Sequence, residues 1–360
     1  MKIAIVTGGM GFIGRHLLKE IQSHYEEIIV LDNLSPTVHH NEIHSENLDF
    51  KLVIGDVAEK SSWEEVSSHL PSGRYDLTVY HLAANTATGD SLNNPSEHVS
   101  TNILGTALMC EFLSTEIQNL SRIVLTSTRA VYGEGFWTLS NGMAIYPDSR
   151  SESDLKDEKW NPKALNEFCI SPLPSSSNKV SPNPVNIYGA TKLSQEYILE
   201  IWCKAFNIQL QIYRLQNVYG PGQSLWNSYS GVISLFVKNA LLGEQIEVYE
   251  GGGIIRDLIF VKDVVKVITT DNEFPSSVKI IDVGSGIPIT LLEVAKTISK
   301  YCRAQDPVIS KKYRIGDVRG IYADNSELTN LINDLKMTDL SIGIAELVDW
   351  AEIEIEKEGK

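Results

Sequence analysis

The chain has 360 residues, of which 42% are hydrophobic, and a formal net charge of −15; this suits one large or two moderate globular domains and does not favour a nucleic-acid partner. No apolar run is long enough to span a membrane, and the N-terminus leads directly into a strand without a signal peptide. The four cysteines are scattered without a zinc spacing or a disulfide framework, so we expect a cytoplasmic protein with no metal site and no membrane partner.

The first motif in the chain is a glycine-rich turn, Thr7–Gly14, between an apolar run and a segment with helical spacing of apolar residues. Such a turn places the N-terminus of a helix, with its unpaired N–H groups and partial positive charge, where it can bind a phosphate. Gly8 would allow the tight turn, Gly11 the approach of a pyrophosphate, and Gly14 close packing of helix on strand. A plain strand–turn–helix is the alternative.

The next two predicted strands support dinucleotide binding. The run Ile28–Leu31 ends at Asp32, where an acid can bind the ribose hydroxyls of adenosine. The run Phe50–Ile54 is followed by Asp56, which could hydrogen-bond an adenine amino group or, equally, cap the helix that begins near Ser61.

Strands and helices continue to alternate along the first half of the chain. Leu77–Leu82 predicts a fourth strand, and the small residues Ala83 and Ala84 after it would let the nicotinamide half of a cofactor pass close to the backbone. A helix over about 95–117 and a strand over Arg122–Thr126 follow. This alternation predicts an α/β fold with a parallel, doubly wound sheet.

A long polar segment, 134–184, interrupts the alternation and is interpreted either as a surface loop or as a lid over the substrate. A helix from Ile187 to about Phe206 and a strand over Leu210–Leu215 follow it. The turn Tyr219–Gly222 marks a boundary to a smaller domain. We therefore assign three regions: a dinucleotide-binding domain, 1–216, which the chain rejoins at about 258–283; a second domain, 217–257 with 284–360; and the insertion, 134–184.

Three polar residues are candidates for chemistry. Tyr188 and Lys192 lie four residues apart and so share one helix face. The lysine ammonium, with the positive ring of an oxidised nicotinamide, would favour the tyrosine phenolate, and a pKa lowered by ~3 units requires about 4 kcal/mol. Thr128, at the end of the fifth strand, could share a hydrogen bond between Tyr188 and a substrate oxygen, or cap the next turn. An ordinary exposed helix pair is the alternative for Tyr188 and Lys192.

Together these segments resemble the extended short-chain dehydrogenases/reductases, in particular the nucleotide-sugar epimerases and dehydratases. The matching segments run nearly from end to end of the chain: Thr7–Gly14, Asp32, Gly55–Val57, Leu82–Ala84, Asn102–Thr106, Val131–Gly133, Tyr188 with Lys192, Arg214–Gln223 and Arg256–Val264. The resemblance implies a Rossmann sheet with a smaller α/β C-terminal substrate domain, NAD as cofactor, and a homodimer formed by the helix after about Pro95 and the helix that carries Tyr188.

The resemblance also implies the site residues. The catalytic residues would be Thr128, Tyr188 and Lys192. The cofactor would contact Gly8, Gly11, Phe12, Ile13, Gly14, Asp32, Asn33, Asp56, Val57, Leu82, Ala83, Ala84, Asn102, Tyr188 and Lys192. A UDP- or dTDP-linked nucleotide-diphosphate sugar would contact Thr86, Ser91, Thr128, Asn217, Arg256, Arg314 and Arg319, with the arginines on the diphosphate.

The residues after Thr128 narrow the reaction. In the sugar 4,6-dehydratases of this group an Asp–Glu pair follows the threonine and supplies the acid and base for elimination, whereas this chain has Arg129 and Ala130. The sequence is most similar to 4-epimerases that act on UDP-sugars or on dTDP-6-deoxyhexoses such as dTDP-L-rhamnose. We predict an NAD-dependent C4 epimerase; the alternatives are a dehydratase, decarboxylase or reductase of the same family, or a non-catalytic dinucleotide-sensing protein.

Overall fold

A computed structural model describes residues 1–36, 38, 49–86, 91–227, 231–270, 277–332 and 335–358. The strands are β1 (Lys2–Thr7), β2 (Glu27–Asp32), β3 (Lys51–Ile54), β4 (Asp76–His81), β5 (Leu120–Thr128), β6 (Trp137–Thr138), β7 (Ala144–Ile145), β8 (Lys163–Ala164), β9 (Glu167–Phe168), β10 (Ser171–Pro172), β11 (Gln209–Leu215), β12 (Asn217–Tyr219), β13 (Glu247–Val248), β14 (Ile255–Phe260), β15 (Val278–Val283), β16 (Pro288–Thr290) and β17 (Val308–Ile309). The α-helices are α1 (Phe12–Ile21), α2 (Lys60–Ser68), α3 (Pro95–His98), α4 (Gly105–Leu113), α5 (Glu152–Lys156), α6 (Ile187–Phe206), α7 (Val232–Leu241), α8 (Val261–Thr269), α9 (Leu291–Tyr301), α10 (Ser326–Leu331) and α11 (Leu340–Lys357).

Seven strands form one sheet in the order β15-β11-β5-β4-β1-β2-β3, and each neighbouring pair is parallel. Successive side chains of a strand point to opposite faces. Accordingly, Ile3 and Ile5 of β1 pack on the face covered by α2, α4 and α6, whereas Ala4 and Val6 pack on the face covered by α1, α8 and α10. This confirms the predicted doubly wound α/β fold.

The strand order reverses between β1 and β4, so the loops that follow these two strands diverge and leave a crevice at the carboxyl edge of the sheet. A second group of elements lies next to this edge: the sheet β12-β14-β16 and the helices α7, α9 and α11, which share a core that includes Phe236, Val294 and Leu347. The chain returns from β14 and α8 to the main sheet as its edge strand β15, which pairs with β11.

The insertion 134–184 contains short regular elements. The strands β6, β7 and β10 form a small antiparallel sheet, and β8 and β9 form a hairpin. Trp137, Leu139, Ala164 and Cys169 are buried together as its core. The segment therefore packs as a small layer with its own apolar centre.

The helix predicted over about 95–117 is divided into three parts. Between α3 and α4 the chain forms a π-helical turn, Val99–Leu104, a form that often occurs at functional sites. Its buried Asn102 accepts a hydrogen bond from the Asn85 amide (2.9 Å) and donates one to the Asn85 carbonyl (3.1 Å). Among the described residues, no helix is both long and apolar enough to cross a membrane.

Candidate active site

A cleft of about 950 Å³ lies at the carboxyl edge of the main sheet, between the sheet and the second group of elements. Nearly all of the predicted site residues line it: Gly8, Gly11, Phe12, Ile13, Gly14, Asp32, Asn33, Asp56, Val57, Leu82, Ala83, Ala84, Thr86, Thr128, Tyr188, Lys192, Asn217, Arg256 and Arg314. Much of the stretch between Thr86 and Ser91 lies outside the described residues.

The glycine turn has the geometry of a phosphate cradle. Gly8 has φ +69°, and a Cβ there would lie 2.7 Å from the Ala83 amide nitrogen, so the loops after β1 and β4 meet closely. A Cβ on Gly14 would lie 2.4 Å from the Gly8 carbonyl oxygen. Gly11 is the N-cap of α1 and lines the cleft with the first helical residues. A bare helix N-terminus of this kind fits the pyrophosphate of a dinucleotide.

Two carboxylates lie at the ends of β2 and β3. The oxygens of the buried Asp32 accept hydrogen bonds from the amides of Met10 and Leu34, both at 2.9 Å, which fixes the carboxylate at the cleft wall. Asp56 accepts bonds from the Ala58 amide (2.9 Å) and the Asn33 side chain (3.1 Å). Asp56 does not cap the following helix, because the N-cap of α2 is Glu59. Both acids line the cleft.

The three predicted catalytic residues meet on the floor of the cleft. Asn186 caps α6 by accepting a hydrogen bond from the Gly189 amide at 2.8 Å, and a Cβ on Gly189 would lie 2.6 Å from the Ala130 carbonyl oxygen. This close contact brings Tyr188, in the first turn of α6, against the end of β5. The Thr128 hydroxyl accepts a bond from the Ala130 amide at 3.2 Å, so it caps the short helix Arg129–Tyr132 and keeps its own proton to donate.

Burial sets the protonation of these groups. It raises the pKa of Tyr188, while the Thr128 hydroxyl and the Arg129 guanidinium act in the opposite direction. Burial lowers the pKa of Lys192 to about 7, opposed by the Glu196 carboxylate. The tyrosine therefore depends on neighbouring cations and donors to become a base.

A buried polar network holds this floor in place. The Ser127 hydroxyl donates to Glu196, and Arg214 binds the same carboxylate through Nε (3.1 Å) and Nη2 (2.6 Å). Arg214 also donates to the Tyr132 hydroxyl (2.9 Å), which in turn donates to Asp282 (2.7 Å). The network joins β5, α6, β11 and β15. Since Ser127 is engaged in it, Thr128 is the hydroxyl at this strand end that is placed for chemistry.

Arginines also line the cleft. The Arg256 guanidinium donates to Asp317 at 3.0 Å, and Arg129 Nε donates to Asn217 Oδ1 at 2.8 Å. Burial lowers the pKa of Arg129 to about 9, Arg256 adds to this, and Asp317 opposes it. Although burial raises the pKa of Asp317, the arginines around it, with Arg256 first, hold that pKa below its ordinary value. Together with Arg314, these groups form a wall with a net positive charge.

Arg129 is a cleft residue that sequence reasoning missed. The sequence was interpreted at this position only as lacking the acid of a dehydratase. Its place directly after the strand-end Thr128 was the available signal, because residues after strand ends line such a crevice.

Three predicted contacts lie outside the cleft lining. The buried Asn102 side chain hydrogen-bonds instead to the Asn85 backbone and to the Thr191 hydroxyl. Ser91 is fully buried. Arg319 is turned away, with its guanidinium on Glu250 and Asn161. The structure thus brings the cofactor, catalytic and diphosphate candidates together without these three.

The fold and the cleft are those of a dinucleotide-binding protein with an arginine-rich wall. A family model described as the NAD dependent epimerase/dehydratase family matches residues 4–284. A dTDP-L-rhamnose 4-epimerase of Burkholderia thailandensis is 35% identical over 359 residues, covering 99% of this chain and 96% of that protein. The chain belongs to the NAD-dependent epimerase/dehydratase family and is an enzyme of that family with NAD as its cofactor, which confirms the family and the cofactor predicted from the sequence.

Solved structures share the fold. A UDP-glucose 4-epimerase of Thermotoga maritima, solved with UDP-glucose, aligns with a TM-score of 0.77 at 24% identity, covering 99% of this chain and 100% of the other. A UDP-glucose 4-epimerase of Thermus thermophilus, solved with NAD, aligns with a TM-score of 0.74 at 22% identity, covering 98% and 99%.

Proposed function

We propose that this protein is an NAD-dependent epimerase that inverts C4 of a nucleotide-diphosphate sugar, with Tyr188 as the acid/base. The observation that carries the proposal is that Thr128, Tyr188 and Lys192 line the same cleft as Arg256 and Arg314. The relatives named above are 4-epimerases of UDP- and dTDP-sugars, which supports the same reaction.

The three floor residues would share the proton transfer. NAD, held by the glycine turn and Asp32, would supply reversible hydride transfer at C4, and the sugar would pass through a 4-keto form. Tyr188 would take the proton of the 4-hydroxyl and return it to the ketone oxygen after the sugar has turned over in the cleft. The Thr128 hydroxyl would orient that oxygen. The Thr128 hydroxyl and the Arg129 guanidinium oppose the effect of burial on the pKa of Tyr188, and Lys192 would add to this when it is protonated.

The arginine wall would hold the substrate by its diphosphate, which the reaction does not change. Guanidinium groups bind phosphate oxygens in a fixed, often bidentate geometry. A diphosphate held by Arg256 and Arg314, with Asn217 beside them, leaves the sugar at the floor. The residues after Thr128 do not favour elimination, because Arg129 and Ala130 provide no carboxylate there.

The test is a panel of UDP- and dTDP-sugars incubated with the enzyme, followed by NMR of the anomeric protons. Epimerisation predicts a second sugar nucleotide and no steady absorbance change from NADH. A steady change would instead favour a reductase or a decarboxylating enzyme, and loss of water would favour a dehydratase.

Tyr188→Phe is the matched variant for this panel. It removes only the phenolic oxygen, so we expect turnover to fall ~10²–10⁴-fold while NAD binding, measured by fluorescence quenching, stays near that of the wild type. A folded Phe variant with near-native turnover would show that Tyr188 is not the acid/base, and absence of turnover on the whole panel by the wild type would refute the substrate class.

A further inference from the structure

Four charged side chains form a buried quartet behind the arginine wall: Glu134, Arg150, Glu250 and Arg319. Their side chains are between 1% and 11% exposed. Two carboxylates balance two guanidiniums, so the quartet is neutral as a whole. Buried charges are tolerated only when they are paired and hydrogen-bonded in this way.

Arg150 is at the centre of the quartet and comes from the insertion 134–184. Its guanidinium binds both oxygens of Glu250, at 2.6 and 3.1 Å. It also donates to the carbonyl oxygens of Asp317 (2.6 Å) and Trp160 (3.2 Å), and its Nε lies 3.2 Å from the Glu134 carboxylate. One side chain of the insertion therefore links several separate parts of the chain.

The insertion contacts the segment 314–319 through two side chains, Arg150 and Glu134. Arg150 binds the Asp317 carbonyl, and Glu134 accepts a hydrogen bond from the Arg319 amide at 2.9 Å. In the same segment, the side-chain carboxylate of Asp317 faces the cleft and accepts a hydrogen bond from the Arg256 guanidinium at 3.0 Å. The same segment carries Arg314 into the cleft. The position of two cleft arginines thus depends on a backbone that the insertion holds.

We propose that Arg150 is a positioning residue for the diphosphate site, through which the insertion fixes the segment 314–319 and, by way of Asp317, the Arg256 guanidinium. Arg150 itself is not among the residues that line the cleft, so it acts without touching the ligand. Fixing a binding group in advance lowers the ordering cost of binding. This inference rests on the proposed function for the identity of the ligand.

Arginine suits this role better than lysine. The planar fork of a guanidinium can hold a carboxylate bidentately and a carbonyl at the same time, whereas an ammonium is a single point charge. Arg150→Lys should therefore keep the charge balance of the quartet but only some of the hydrogen bonds that connect the insertion to the segment 314–319.

The test compares Arg150→Met with Lys156→Met; Lys156 is an exposed cation of the same insertion and pairs with Glu152 one turn away. The first measurement is hydrogen exchange of the peptide over 311–322 in the free protein. We expect faster exchange there in Arg150→Met and wild-type exchange in Lys156→Met. Hydrogen exchange needs no ligand, so it tests whether Arg150 holds the segment 314–319 independently of the proposed function.

The second measurement is the calorimetric affinity for UDP and for dTDP, with KM and kcat for the best substrate of the panel. We expect Arg150→Met to weaken binding and raise KM by roughly 10-fold or more, the scale of one charge-assisted hydrogen bond, with a smaller change in kcat. The nucleotide affinity and KM of Arg150→Lys should lie between those of Arg150→Met and the wild type. NAD affinity should be unchanged.

Removal of Arg150 alone leaves two carboxylates with one cation, and burial already raises the pKa of Glu134 to about 7, a rise that Arg150 opposes. The charge-balanced variant Arg150→Met/Glu134→Gln keeps the Glu250–Arg319 pair and guards against simple unfolding. If this variant exchanges and binds UDP and dTDP like the wild type, the inference is refuted. A wild type that binds neither nucleotide would refute the proposed function. Faster exchange over 311–322 in Arg150→Met would still support the role of Arg150 in holding the segment 314–319.

Discussion

At the residue scale, Lys192 has the most unusual environment of the proposed catalytic groups. It is 1% exposed, and burial lowers its pKa from 10.5 to about 7. A lysine with a lowered pKa binds fewer protons in the folded state than in the unfolded state. Between about pH 7 and 10.5 the free energy of unfolding should therefore rise with pH because of this one group.

We predict that Lys192→Met stabilises the free protein while it impairs turnover. The penalty for the lysine is fully present below about pH 7 and is relieved as the pH approaches 10.5. The gain should therefore be a few kcal/mol near pH 6 and should shrink towards pH 10. Urea unfolding of both proteins at several pH values measures it, with Lys156→Met as the control. A gain that is independent of pH would show that the pKa of Lys192 is not lowered in the folded protein.

Individual partners are where sequence reasoning is weakest. Arg319 was expected on the diphosphate from the family resemblance, but its partner Glu250 and the Glu134 carboxylate that binds its amide lie far away in the chain. Thr128 and Ser127 are adjacent hydroxyls in the sequence, and only the fold assigns Ser127 to Glu196. Long-range pairing and burial decide such roles, and neither is visible in a local pattern.

At the element scale, β14 and the segment 314–319 carry the arginine wall. We predict that Arg256→Ala and Arg314→Ala raise KM strongly and lower kcat less, since the diphosphate charge is the same in substrate and transition state. Each should cost roughly 10- to 100-fold in affinity. Michaelis curves measure this, and lysine replacements should rescue only partly.

Lys262→Ala provides the matched control for these arginines, because Lys262 lies in the first turn of α8, directly after β14, but pairs with Glu346 at the surface. It should leave KM unchanged. If both arginine variants keep the wild-type KM, the two side chains are not substrate ligands.

Long, regular elements could be predicted from the sequence, and short ones could not. Six strands of the main sheet and α6 were predicted within a few residues, because apolar runs and glycine turns leave a signal in the local sequence; the edge strand β15 was not predicted as a strand. The two-residue strands of the insertion are too short to have any period. The π-helical turn Val99–Leu104 was also missed, and the bonds of its Asn102 side chain to the Asn85 backbone are contacts that no local pattern shows.

At the scale of the whole molecule, an exposed apolar surface covers the outer side of two neighbouring helical stretches. It consists of Val99 and Leu104 in the π-helical turn, and Tyr197 and Ile201 in α6, with Ile201 71% exposed. Contiguous apolar patches of this kind mark protein–protein contacts. We predict a homodimer formed through this surface.

Ile201→Asp should therefore shift the protein towards monomers, because it places a charge in the centre of an apolar contact. Light scattering after size-exclusion chromatography at micromolar concentration measures the molecular mass. Ile342→Asp is the control, since Ile342 is also exposed but lies on α11. A wild type that is monomeric under these conditions would contradict the prediction.

The position of β15 at the edge of the main sheet has a consequence for biosynthesis. This strand, Val278–Val283, pairs with β11, which precedes it by a whole group of elements. On the ribosome, the cofactor-binding half therefore cannot complete its sheet until most of the 360 residues have been translated. Until then β11 is an open strand edge, a template for pairing with other nascent chains. Slow translation after β11 would lengthen this exposed period and increase the demand for chaperones.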